Sequence, residues 1–143
     1  MTKKTRVVIS FLGTQLDAGG GDGRWLKWRP NVALNQRQDL SVDRIELFCA
    51  EKFHALAEHV RADIRHVAPH TAVNLVPMEL ENPWDFSEVY TRLHDWAADY
   101  PFDSEQEEYW VHITTGTHVA QICLFLLVES RQIPGLLLPT APP

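Results

Sequence analysis

A chain of 143 residues that is 45% hydrophobic has enough apolar content for one core. Its 22% of charged residues exclude an acidic disordered tail or a coiled coil, and its net charge of −6 excludes a general nucleic-acid-binding surface while leaving room for a local basic site. No run reaches the roughly 18 apolar residues of a membrane span, Met1-Thr2-Lys3-Lys4 leads straight into a strand, and Cys49 and Cys123 read as reduced, buried thiols of a cytoplasmic protein.

The β-branched run Arg6 to Leu12 predicts a central strand covered on both faces. Gly13-Thr14 ends it, and Gln15 to Gly23 forms a loop that carries a glycine cluster. Those glycines match neither the G-x-G-x-x-G spacing nor a P-loop, so they read as a flexible connection that could serve as a lid. Pro30 suits the first position of a short helix ending near Gln36, because its missing N–H costs nothing there. Arg44 to Cys49 predicts a second strand. From Glu51 to Val67, apolar residues at spacings of three and four predict a helix that Pro69 stops.

Thr71 to Leu80 holds a third strand, with Pro77 at its exit or on a sheet edge. Asp85 and Glu88 form a capping-box pattern for a helix whose stripe runs from Phe86 to Tyr100. Asp103 to Glu108 reads as a solvated acidic loop. A strand ending at Ile113, a polar turn and a buried helix from His118 to Val128 follow, and Gly135 to Leu138 closes the sheet. Strands alternating with helices define an α/β, Rossmann-like three-layer sandwich with a mainly parallel sheet of about five strands. The first and fourth strands are then neighbours across the switch point, where ligands of such sheets bind.

That topology brings Gly13 and Thr14 to the same end of the sheet as the run Thr114-Thr115-Gly116-Thr117-His118. The turn offers threonine hydroxyls and helix N-terminal N–H groups that suit a phosphate. Gly116 lacks the Cβ that would hold a ligand off the backbone. An ordinary polar turn with an N-cap at Thr115 or Thr117 fits the same residues. Gln121, the lone strongly polar residue inside an apolar helix, needs a partner from neighbouring backbone or from a ligand. Arg24, Lys27 and Arg29, interleaved with Trp25 and Trp28, are the densest positive charge, and they suit a phosphate backbone and stacked bases unless the tryptophans pack inward. Seven histidines invite a metal hypothesis, but Pro69 breaks the His66/His70 pair and no ligand set is completed, so neither metal nor cofactor is expected. There is no paired carboxylate and no nucleophile elbow; His118 is the residue to suspect if any catalysis occurs.

Several stretches carry a family resemblance: Val8 to Thr14, Arg24-Trp25 through Pro30, Asp43 to Leu47, Asn82 to Phe86, and His112 to Cys123. They closely resemble the N-terminal domain of the RtcR family, transcriptional regulators of a bacterial RNA-repair operon, over nearly the whole chain. The resemblance implies a CARF (CRISPR-associated Rossmann fold) sensor domain spanning residues 1–143. An AAA+ ATPase acting on the alternative-sigma-factor polymerase and a helix-turn-helix reader of promoter DNA would lie elsewhere in the full-length regulator. It also implies a homodimer whose ligand is RNA with a 2′,3′-cyclic phosphate end, held by the loops after the first and fourth strands. On this chain those are Gly13, Thr14, Gln15 and Asp17, and Thr114 to His118 with Gln121. Relatives bind cyclic oligoadenylates and some cleave them, so a ring nuclease is one alternative; a dimerisation module with a vestigial pocket is another.

Overall fold

The computed structural model describes residues 3–143; Met1 and Thr2, at the start of the predicted lead-in, lie outside the described residues. The strands are β1 (Thr5–Phe11), β2 (Arg44–Cys49), β3 (Ala72–Pro77), β4 (Glu107–His112) and β5 (Gly135–Leu138). They form one sheet in the order β3-β2-β1-β4-β5, with every neighbouring pair parallel. The helices are α1 (Pro30–Leu34), α2 (His54–Val67), α3 (Phe86–Asp99) and α4 (His118–Glu129). The predicted α/β architecture and the central place of β1 are therefore present.

Strand alternation assigns the two faces. Val7, Ile9 and Phe11 of β1 join Tyr109 and Val111 of β4 in a core closed by Val89 and Leu93 of α3 and Leu124 and Leu127 of α4. Val8 and Leu12 point the other way and pack with Val32 of α1 and Ala57, Val60 and Ile64 of α2. A strand buried on both faces needs an apolar residue at nearly every position, which is why β1 reads as a continuous apolar run. Pro77 sits at the end of the edge strand β3, where a missing N–H breaks no ladder.

Three local expectations change. Glu107 and Glu108 are not solvated loop residues: they open β4, where Glu107 pairs with Arg44 at 2.7 Å and Glu108 with Arg6 at 2.6 Å. Asp85 does cap α3, accepting from the Ser87 N–H, but Glu88 reaches past it to accept from the N–H groups of Glu81 and Asn82. The glycine-rich stretch is not a lid over the switch point. It runs into a 3-10 turn at Asp22–Leu26, on the α2 side, where Arg24 holds Asp63 at 2.9 Å.

Helix α4 differs most from the sequence reading. Ala120, Cys123, Leu124 and Leu127 are buried, but Ile122, Phe125 and Leu126 on its outer side are exposed. The helix is apolar all round while only one side is covered within this chain.

Candidate functional site

A cleft of about 450 Å³ opens at the carboxyl ends of the strands. Its two central walls are the loops after β1 and β4, neighbours at the point where strand order reverses. Gly13, Thr14 and Gln15 line it from one side, and Thr114, Thr115, Gly116, Thr117 and His118 from the other. The remaining wall comes from the loops after β2 and β3, with Lys52, Phe53, Pro83 and Trp84, while Phe11, Phe48 and Met78 contribute apolar lining.

The three threonine hydroxyls, read from the sequence as ligand donors, are all engaged within the protein. Thr115 Oγ1 donates to the Phe11 carbonyl at 2.6 Å. Thr117 Oγ1 caps α4 by accepting from Ala120 N–H at 3.1 Å and donates to the Pro83 carbonyl at 2.8 Å. Thr114 Oγ1 accepts from Thr140 N–H at 2.8 Å and lies 2.9 Å from Thr140 Oγ1. What the turn keeps free is backbone: the N–H groups of Gly116, Thr117, His118 and Val119 have no hydrogen-bond partner among the described residues. Those of Thr14, Gln15 and Leu16 are also unpartnered among them. Two runs of free donors, one at the N-terminus of α4, are the kind of backbone arrangement that suits an anion.

Gly116 serves the fold more than ligand access. Its φ of +86° lies in the left-handed region, and a Cβ there would meet Phe11 at 3.2 Å and Ala120 at 3.4 Å. The turn is thus pressed onto the end of β1. Gln121 finds its partner in the same turn, its amide donating to the carbonyls of Gly116 at 3.3 Å and Thr114 at 3.4 Å, so it braces the loop and does not line the cleft.

Beneath the cleft floor runs a buried polar chain. Ser10 Oγ donates to Asn31 Oδ1 at 2.6 Å and lies 2.9 Å from His112 Nδ1; His112 Nε2 lies 2.8 Å from Thr140 Oγ1. With Ser10 donating to Asn31, His112 donates from Nδ1, and in the neutral ring Nε2 then accepts from the Thr140 hydroxyl. Burial pushes its pKa down to about 4, consistent with that state.

Asp17 is buried as well. It accepts from Gly13 N–H at 2.7 Å, Asn31 N–H at 3.0 Å and Asn31 Nδ2 at 2.6 Å, tying the loop after β1 to the start of α1. Burial pushes its carboxyl above the usual carboxylate range, opposed by those donors and by Arg29. Its oxygens are committed internally, so Asp17 shapes the loop without facing the cleft.

The basic segment is also spent on structure. Arg29 is 2% exposed, pairs with Asp63 at 2.8 Å and donates from Nε to the Asp17 carbonyl at 2.9 Å. Burial tends to raise the Asp63 carboxyl, but Arg24 and Arg29 hold it below its ordinary value. Lys27 Nζ donates to the carbonyls of Gln15 and Ala18 at 2.8 and 2.7 Å. Arg24, Lys27 and Arg29 fasten the long loop after β1 to its own backbone and to α2, and none of them lines the cleft.

Lys52 and Trp84 are among the lining residues that sequence reading missed. Lys52 carries no motif, and Trp84 reads as part of a helix entry; only the sheet order brings them to the same end as Gly13 and Thr114. Among the described residues, no three His, Cys, Asp or Glu side chains gather as a metal-binding group.

A parallel β3-β2-β1-β4-β5 sheet with a cleft at its switch point defines a Rossmann-like domain with the CARF fold. The same fold occurs in Enterococcus italicus Csm6, in a structure bound to cyclic hexa-2'-fluoro-hexa-dAMP; the match has a TM-score of 0.71 and 17% identity, and covers 99% of this chain and 35% of that one. Residues 4–143 match the family model RtcR, regulator of RNA terminal phosphate cyclase, and the chain belongs to that family. It is 51% identical over 138 residues to the transcriptional regulatory protein RtcR of Escherichia coli (strain K12), covering 96% of this chain and 26% of that protein. The chain thus spans about a quarter of the length of this curated relative.

Proposed function

We propose that this chain is the ligand-sensing domain of a transcription activator of RNA repair, working in the cytoplasm. Its cleft takes the end of a short RNA, with a 2′,3′-cyclic phosphate as the preferred terminus. In the full-length regulator, occupancy relieves inhibition of an adjoining AAA+ ATPase that acts on alternative-sigma-factor polymerase at promoter DNA read by a helix-turn-helix domain. The observation that carries this reading is the pair of unpartnered N–H runs, Thr14 to Leu16 and Gly116 to His118, on two loops that line one cleft at the switch point. Backbone donors at a helix start suit a phosphate of low charge. A net charge of −6 repels bulk nucleic acid and favours a ligand recognised by its end.

The domain works as a homodimer. The exposed apolar side of α4, with Ile122, Phe125 and Leu126, supports this: α4 starts at the cleft, so pairing there sets two clefts side by side.

Binding without turnover fits the residues. His118 is exposed, and no carboxylate lies within ion-pair distance of it among the described residues to orient its ring as a general base. A cyclic oligoadenylate is the second reading, favoured by the ligand bound to the Csm6 neighbour.

The test is binding of labelled short RNAs to the purified chain, comparing 2′,3′-cyclic phosphate, 3′-phosphate and 3′-hydroxyl ends, with cyclic tetra- and hexa-adenylate alongside. The mixtures are then inspected for cleavage. Preference for the cyclic-phosphate end is the expected result. Preference for the closed ring selects the second reading, and cleavage of either ligand makes the domain an enzyme. No binding above background leaves a dimerisation module with a vestigial pocket.

A further inference from the structure

The walls formed by the loops after β2 and β3 contribute two side chains whose state in the free protein calls for explanation. Trp84 is 62% exposed, an unfavourable state for the largest aromatic side chain. Its loop is nevertheless held firmly. Trp84 N–H donates to Asn82 Oδ1 at 3.0 Å, Asp85 N–H to the Asn82 carbonyl at 3.0 Å, and the Pro83 carbonyl accepts from Thr117 Oγ1 at 2.8 Å. The last bond bolts the Trp84 loop to the N-cap of α4, so the indole sits beside the free donors of that turn. Its ring meets His118 edge-on, with centroids 6.5 Å apart and planes at 71°.

Lys52 is the second such residue. It is the one lysine or arginine among the residues lining the cleft, and Glu81 is the one carboxylate. Its ammonium lies 5.3 Å over the Phe53 ring and makes no ion pair among the described residues. A free cation and a fixed, exposed indole on one cleft are the two elements that single-stranded nucleic acid sites combine, a charge for phosphate and a face for a base.

Resting on the reading above, we propose that Lys52 and Trp84 form a terminal-nucleotide clamp. Lys52 neutralises one phosphate and Trp84 stacks the base next to it. One cation sets the size of the recognised unit: a single phosphate with its base, while the rest of an RNA stays outside the cleft. The cleft therefore reads an end and tolerates any continuation.

The test uses the 143-residue chain and a fluorescently labelled short oligoribonucleotide ending in 2′,3′-cyclic phosphate, titrated at several salt concentrations. Both side chains are exposed, so substitutions are expected to leave the urea midpoint in place. Lys52→Met should flatten the plot of log affinity against log salt by roughly 0.7, the loss of one phosphate contact to a single strand, and Lys52→Arg should restore the slope. Trp84→Ala should weaken binding by roughly tenfold or more, and Trp84→Phe should recover much of it. An unchanged salt slope in Lys52→Met overturns the phosphate assignment even where Trp84→Ala weakens binding. Unchanged affinity in Trp84→Ala overturns the stacking assignment. In both cases the RNA-end reading survives on wild-type binding. Absence of wild-type binding is a different outcome: it removes that reading and the clamp with it.

Discussion

His112 lies between Ser10 and Thr140 with no charged group among its polar partners, so burial alone sets its protonation. Its folded pKa is about 4 against an ordinary value of 6.5. As pH falls through this window, the unfolded chain takes up a proton that the native state refuses. Stability is therefore complete above about 6.5, declines toward 4, and loses roughly 3 kcal/mol in total. Urea midpoints measured from pH 7.5 to 4.5 should show that decline, and a His112→Gln variant should show a flatter profile. The carboxylates Asp63, Glu107 and Glu108 have lowered pKa values, so their contributions disappear only at more acidic pH. Gly116 makes a second test at this scale. Gly116→Ala forces a Cβ into the left-handed region against Phe11 and should cost about 1–2 kcal/mol or more by denaturant unfolding. A Cβ at Gly20 meets nothing within 4 Å, so Gly20→Ala is its near-neutral control.

The elements around the cleft are tied by side chains from distant segments. Thr117 caps α4 and holds the Pro83 carbonyl, so Thr117→Val should cost about 1–2 kcal/mol in thermal or urea unfolding. That variant should also loosen the loop carrying Trp84, read as faster amide exchange at Trp84 and Asp85. Thr114 bonds Thr140, just beyond β5, through both the backbone N–H and the hydroxyl. Thr114→Val should release this latch and speed exchange at Thr140, while the β1 and β2 amides keep their protection. The outer side of α4 is the opposite case, an apolar surface with no partner in this chain. The proposed homodimer predicts that Phe125→Glu sediments as a monomer where the unaltered chain sediments as a dimer, with the urea midpoint of the monomer unchanged.

At the scale of the whole molecule, the alternation of strands and helices, the switch point between β1 and β4 and the end of the sheet bearing the cleft were all legible in the sequence. Apolar periodicity and proline positions are local signals, and right-handed crossovers leave few topologies for them. The location of the cleft was legible for the same reason, since Gly13-Thr14 and Thr114 to His118 follow strands that must be neighbours. The roles of individual side chains there were not. Arg24 and Arg29 look like a nucleic-acid patch until α2 brings Asp63 against them. Thr114, Thr115 and Thr117 look like ligand donors until Thr140, Phe11 and Pro83 take their hydroxyls. The sequence by itself determined the elements, their order and the position of the cleft, because burial patterns repeat over a few residues. Tertiary structure alone decided which polar groups remain free to meet a ligand, because a hydrogen bond or ion pair needs a partner that folding brings in from far along the chain.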